Sequence, residues 1–152
     1  MQVELLVAAA LVILSGISLF RLTRRHIVAL VLACLAVGPA YWVIESGSYV
    51  WASIVDGRVP FDALVMLIPV VFFSSLFALV LAPPAILLLD RTRLLDTIWT
   101  VVLASFLSAA ALWAVRGQTP VEYPTNLLIG AIGGAAFLFG WRWGRNAEAK
   151  QS

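Results

Sequence analysis

His26 is the only histidine in the chain and Cys34 the only cysteine, so the side chains that bind metals or carry electrons occur singly. Two histidines are needed to clasp a haem inside a bundle, and several Cys or His ligands to close a zinc site; neither set exists here. A lone cysteine makes no Cys-x-x-Cys redox pair and no intrachain disulfide, and Cys34 reads as a small apolar packing residue. His26 follows Arg21, Arg24 and Arg25 in a basic connection, and nothing in its spacing brings it to a nucleophilic serine. An aspartyl pair needs two carboxylates at one depth on facing helices, whereas Asp62 and Asp90 fall at opposite ends of one apolar stretch. Gly133-Gly134 follows no strand and so builds no phosphate loop. Ser74, Ser75, Ser105 and Ser108 read as hydroxyls returned to backbone carbonyls. The expectation is a protein without cofactor, metal or catalytic residues.

Two constellations remain. Small residues recur at helical spacing: Gly130 and Gly134 beside Ala131 and Ala135, Gly140 and Gly144, and Ala104 and Ser108 with Ser105 and Ala109. Such strips let helix backbones approach closely and gain dispersion contacts that lipid cannot match. Packing within one chain is the first reading of these strips, and packing against another subunit the second. The other constellation is acidic. Glu45 and Asp62, with Asp56 and Glu122, fall at one end of the apolar stretches and define a candidate outer acidic site, against the plainer reading of hydrated helix ends.

The elements that position these residues follow from composition. Of 152 residues, 62% are hydrophobic and 12% charged, and the mean hydropathy is +1.01. A soluble domain carries roughly 25% charge, and a chain this short cannot hide so much apolar surface from water. The predicted fold is an all-α integral membrane protein, a single helical domain with no soluble part. About 20 apolar residues cross ~30 Å of hydrocarbon, and five stretches qualify: residues 3–20, 27–44, 61–82, 97–115 and 126–142. No Asp, Glu, Lys, Arg or His lies in the middle of any of them, which argues against ion or proton transfer.

Eight of the ten basic residues (Arg21, Arg24, Arg25, Arg91, Arg93, Arg142, Arg145 and Lys150) fall in alternate connections, and the other side has only Arg58 and Arg116. Basic residues stay in the cytoplasm, so the N-terminus is expected outside, the C-terminus inside, and the location is the bacterial inner (plasma) membrane. Met1 to Glu4 carries no basic residue, so the first stretch reads as an uncleaved anchor. The same bias accounts for the net charge of +2 without nucleic acid.

Prolines mark the expected breaks. Pro83-Pro84 removes two donors inside 27 uncharged residues, so the third helix is expected to end near Ala82, with residues 85–95 lying along the inner interface. Pro69 is expected to kink the third helix at most. Gly38-Pro39, before Tyr41 and Trp42, suggests a bend in the second helix and, less directly, a cavity for a lipid or small ligand. The second helix is expected to stop at Glu45-Ser46-Gly47, and Ser46 to Pro60 to form an interfacial hairpin or short helix lying flat, or a partner-contacting cap. The leading functional expectation is a non-enzymatic protein acting through helix-surface contacts with a membrane partner, as an accessory subunit or an immunity or regulatory protein. The runner-up is a small homo-oligomeric transporter or channel for a lipid or apolar solute.

Overall fold

The computed structural model describes residues 2–116 and 123–149. These form five helices: α1 (Gln2–Leu19), α2 (Arg24–Val55), α3 (Phe61–Arg91), α4 (Ile98–Arg116) and α5 (Tyr123–Ala149). The all-α expectation holds for the described residues. By length and composition, Arg24–Val55, Phe61–Arg91 and Pro124–Asn146 can each cross a membrane, and Ala9–Leu19 and Ile98–Ala111 are shorter apolar helices. Leu6, Ile13, Phe72, Phe73, Phe106 and Phe139 all stand exposed. So continuous an apolar exterior is suited to lipid rather than water.

Neighbouring helices pack in the order α4, α5, α2, α3, α1. α2 is central, packed on both α5 and α3, while among the described residues α1 touches only α3. The tight core lies at the arginine-rich end, where Leu22, Ala29, Leu30, Cys34, Ile86, Leu89, Leu95 and Phe137 form one cluster. Toward the opposite end, the Trp42 indole N–H donates to the Ala63 carbonyl at 2.6 Å and pins α2 to α3.

The expected break at Pro83-Pro84 does not occur, because α3 continues to Arg91 with Pro69, Pro83 and Pro84 inside it. A proline at position 83 leaves the Leu79 carbonyl without its usual donor. In the structure that carbonyl accepts the Ser15 hydroxyl of α1 at 2.9 Å. Within lipid, a neighbouring helix's serine is one of the few groups able to satisfy a freed carbonyl. Residues 85–91 are therefore helical, and Ile86 and Leu89 are buried in the core instead of dipping into an interface. The real end of α3 is a Schellman turn. Leu94 N–H bonds the Leu89 carbonyl at 2.9 Å and Arg93 N–H the Asp90 carbonyl at 3.1 Å, with Arg93 at φ 58 in the left-handed position that usually takes glycine.

Ser15 is thus more than a filler. Ser15→Ala is expected to leave the Leu79 carbonyl without that donor and to cost about 0.6–2 kcal/mol. Thermal unfolding in detergent reads this loss. Ser74→Ala, whose hydroxyl only doubles up on carbonyls of its own helix, should cost clearly less.

α2 also departs from expectation. It runs unbroken through Pro39 and through Glu45-Ser46-Gly47 to Val55, 32 residues or ~48 Å of helix. The segment expected to lie flat as an interfacial hairpin or short separate helix is its last turns. The connection to α3 is the Asp56-Gly57 turn, where Gly57 takes φ +69. Gly38 serves close approach: a Cβ there would sit 2.8 Å from the Val71 Cα of α3.

Candidate functional site

The glycine strips decide how the helices stack. A Cβ on Gly130 would lie 2.5 Å from the Ala104 carbonyl oxygen and 2.6 Å from the Ser105 Cα, and one on Gly134 2.8 Å from the Val101 Cα. These are backbone atoms of α4, so α5 rests directly on α4 along the strip that includes Ala104 and Ser108. Gly140 faces α2 instead, where a Cβ would stand 3.1 Å from the Ala29 Cα. Gly144 meets only the Arg25 side chain, at an ordinary 3.7 Å. Gly130, Gly134, Ala104, Ser108 and Gly140 are therefore all used inside the chain.

This stacking leaves a space. α3 is held by α2 and α1, α4 is held by α5, and α3 and α4 meet at few points. Between them lies a cavity of about 590 Å³, walled by α2, α3, α4 and α5. Its α3 wall carries Ala78, Ala82 and Ala85, and its α4 wall carries Ala104, Ser108 and Ala111. Small residues on facing walls that do not close on each other leave volume in place of a contact. The cavity is long as well as large. Along α3 it extends from Met66 to Leu89, ~35 Å of helix at 1.5 Å per residue. On the shorter walls it extends from Leu30 to Tyr41 of α2 and from Thr100 to Ala111 of α4.

Its lining is chemically quiet. Apart from Tyr41, the polar side chains on it are Ser74, Thr100 and Ser108. The Ser74 hydroxyl donates to the Val70 carbonyl at 2.8 Å and the Thr100 hydroxyl to the Leu95 carbonyl at 2.6 Å. Those hydroxyl protons are spent on backbone. Water needs roughly 2–4 polar partners to settle in a cavity, and this one offers few. The volume falls within the ~300–1,000 Å³ range of ligand pockets. The arrangement can enclose an elongated apolar molecule.

The arginine-rich end is closed by polar contacts that the sequence did not single out. Asp96, in the turn between α3 and α4, accepts the Arg142 Nε at 2.7 Å and a second charge-assisted bond from Arg145; the Arg142 Nη2 also donates to the Asp96 carbonyl at 3.1 Å. These bonds tie the α3–α4 turn to α5. Bonding to Arg142, with Arg145 adding to it, holds the Asp96 carboxyl below its ordinary range against a smaller opposing effect of burial. A carboxyl whose folded pKa is depressed adds stability above its unfolded pKa, and this is lost as pH falls through the folded value. The clamp should therefore be intact at neutral pH and released only below the ordinary carboxylate value of about 3.9. Because the pair is solvent-exposed, Asp96→Asn is expected to cost only about 0.2–1 kcal/mol at pH 7. Melting curves should show that deficit shrinking toward zero in strong acid.

His26 also differs from its expected place in an open basic loop. It lies in the first turn of α2, 2% exposed. Its Nδ1 accepts the Thr23 backbone N–H at 3.1 Å, and its ring stacks on Trp141 of α5 at 4.7 Å. Its Nε2 faces the Asp90 carboxylate at 3.9 Å, beyond hydrogen-bond reach. The histidine thus joins α2 to α5 beside the end of α3. A sequence signal was present in Thr23 three residues ahead of it, the spacing of a capping pair.

Among the described residues no group of three or more His, Cys, Asp or Glu could hold a metal. Glu45 lies within α2, Asp62 stands exposed in the first turn of α3, and Glu122 lies outside the described residues. Asp62 sits where a carboxylate complements the partial positive charge of a helix start. Comparison with family models, with curated proteins and with solved structures returns no match to this chain.

Proposed function

We propose that this is a five-span protein of the bacterial inner membrane, with its N-terminus outside and its C-terminus in the cytoplasm, that takes up the hydrocarbon chain of a lipid or similar apolar molecule between α3 and α4. The observation that carries this reading is the cavity of about 590 Å³, elongated along α3 and lined almost wholly by apolar side chains. Walls facing empty space forfeit dispersion energy, so a chain from the surrounding bilayer stabilises the open arrangement. The role is non-enzymatic: binding, carrying or presenting the lipid. One chain supplies all four walls, so a second copy is not needed to complete the site.

Native mass spectrometry of the protein released from gentle detergent tests this. The expected result is a lipid adduct that depends on chain length more than on headgroup and is lost in Ala78→Phe, in the α3 wall of the cavity. Lipid-free protein after release from membranes of several compositions, or an adduct unchanged in Ala78→Phe, would overturn the reading.

A second reading, the partner-binding accessory or immunity protein, is favoured by a different observation. The ~48 Å of α2 exceeds the ~30 Å hydrocarbon thickness, and its last turns with the start of α3 expose Tyr49, Trp51, Ile54, Val55, Val59 and Phe61. A membrane protein docking on that tip would bury them. The glycine strips, which first suggested such a partner, are occupied by packing within the chain.

A further inference from the structure

A second concavity lies on the outer side of α4 and α5 at the arginine-rich end, away from the cavity between α3 and α4. It encloses about 350 Å³ and is lined by Val101 of α4 and by Ala135, Leu138, Phe139, Arg142, Trp143 and Asn146 of α5. The α5 positions recur at three- and four-residue steps and make one continuous stripe. Polarity changes along it. Ala135, Leu138 and Phe139 form an apolar half, and Arg142, Trp143 and Asn146 form a polar half one turn further on. Ala135 to Asn146 is ~16 Å of helix, of which the apolar half, Ala135 to Phe139, takes ~6 Å and so reaches the upper part of one leaflet's hydrocarbon below the headgroups. Phe139 and Trp143 are 68% and 61% exposed, so the stripe faces the surroundings of the protein.

Arg142 is presented in a fixed orientation. Its Nε and one Nη2 hydrogen are engaged by Asp96, and a guanidinium carries five N–H donors in a rigid fork. Most of that fork is left to bind something else. The Asp96 carboxylate cancels one of the two charges contributed by Arg142 and Arg145, so the cluster keeps a net positive charge toward an incoming anion. A tryptophan beside it is the residue type that settles at headgroup depth.

From this geometry we propose that the stripe seats one anionic phospholipid of the leaflet at the arginine-rich end. Its phosphodiester bonds the Arg142 guanidinium and the Asn146 amide, its glycerol lies over Trp143, and one acyl chain runs along Phe139, Leu138 and Ala135 against Val101. The match is one of charge and of polarity along the axis: cation above, hydrocarbon below. This site is independent of the cavity. It selects by headgroup charge, whereas the cavity selects by chain.

The test is lipid retention by the full chain in nanodiscs containing equal parts phosphatidylglycerol and phosphatidylcholine, read by native mass spectrometry after release. One basic residue near an anionic surface supports a preference of about fivefold for phosphatidylglycerol. Arg142→Gln should abolish that preference, and Asp96→Asn should keep or raise it by freeing the guanidinium. Trp143→Leu, which leaves the Asp96 clamp in place, should lower retention of both lipids and serves if Arg142→Gln does not fold. Equal retention of the two lipids by the unaltered protein, or a preference unchanged in Arg142→Gln, would overturn the assignment. So would loss of the preference on adding millimolar inorganic phosphate, which would assign the site to a free anion. Ala78→Phe, in the other cavity, should leave the headgroup preference untouched, so the two sites fail separately.

Discussion

Gly130→Leu is expected to force α5 off α4 and to lower the stability of the bundle by about 1–3 kcal/mol or more. Two of the atoms met by a side chain at this position are backbone, the Ala104 carbonyl oxygen at 2.5 Å and the Ser105 Cα at 2.6 Å, so no rotamer change relieves the clash. The paired control is Gly144→Leu, at the far end of the second glycine pair. Its only neighbour is the flexible Arg25 side chain at 3.7 Å, and the substitution should be nearly neutral. Cys34 makes the measurement direct. It is the only cysteine of the sequence and is buried in the core, so a thiol-reactive fluorophore reports unfolding as the thiol emerges. Gly130→Leu should shift that transition down by several degrees and Gly144→Leu by little. Equal effects at the two glycines would mean that the strip is not the α4–α5 contact.

The second large effect concerns the cavity. Ala78→Phe places an aromatic ring in the space between α3 and α4, where Ala78 is one of the small residues of the α3 wall. Retention of a co-purified lipid chain should fall about tenfold or more, while the thiol-dye transition of lipid-stripped protein should hold or rise, because filling a void restores dispersion contacts. The unaltered protein should behave oppositely, losing stability when stripped and recovering it when lipid is returned. Opposite signs in binding and stability distinguish a filled binding site from a misfolded bundle. If Ala78→Phe lowers both together, the ring has met a packed wall instead of a cavity.

Much of the architecture was legible because the strongest signals are local. Long apolar stretches between charged connections define helices wherever they sit, and α1, α4 and α5 begin or end within a few residues of the sequence reading. The small residues that bring α4 and α5 together were also legible, since Gly130, Gly134, Ala104 and Ser108 lie at spacings that build flat faces. What they pack against was not, because a face is local and its partner is not.

The unread features share that cause. Pro83-Pro84 predicts a break as long as α3 is considered alone. The carbonyl that Pro83 frees, at Leu79, is met by a hydroxyl from Ser15, 64 residues away in the chain. The extension of α2 to Val55 was hidden by Glu45-Ser46-Gly47, a combination that reads as an end but is tolerated in a helix already propagating from a packed core. His26 looked like a loop residue among arginines until Trp141, more than a hundred positions later, supplied a ring to cover it. Asp96 resembled any exposed carboxylate until the last turns of α5 brought Arg142 and Arg145 to it. The cavity was only hinted at by Gly38-Pro39, which Val37 and Tyr41 of its lining flank, because its extent arises where helices held by other neighbours fail to meet.

Photo-crosslinking in native membranes tests the proposed ligand cavity most directly. A phospholipid with a diazirine midway along its acyl chain is incorporated and activated, and the modified residues are mapped by peptide mass spectrometry. The cavity predicts adducts on its inner walls from several helices, including Val37, Ala82, Leu107 and Ile129, at yields reduced in Ala78→Phe. Labelling confined to the outward-facing Ile68, Phe72 and Phe106, with the inner walls untouched, would contradict it.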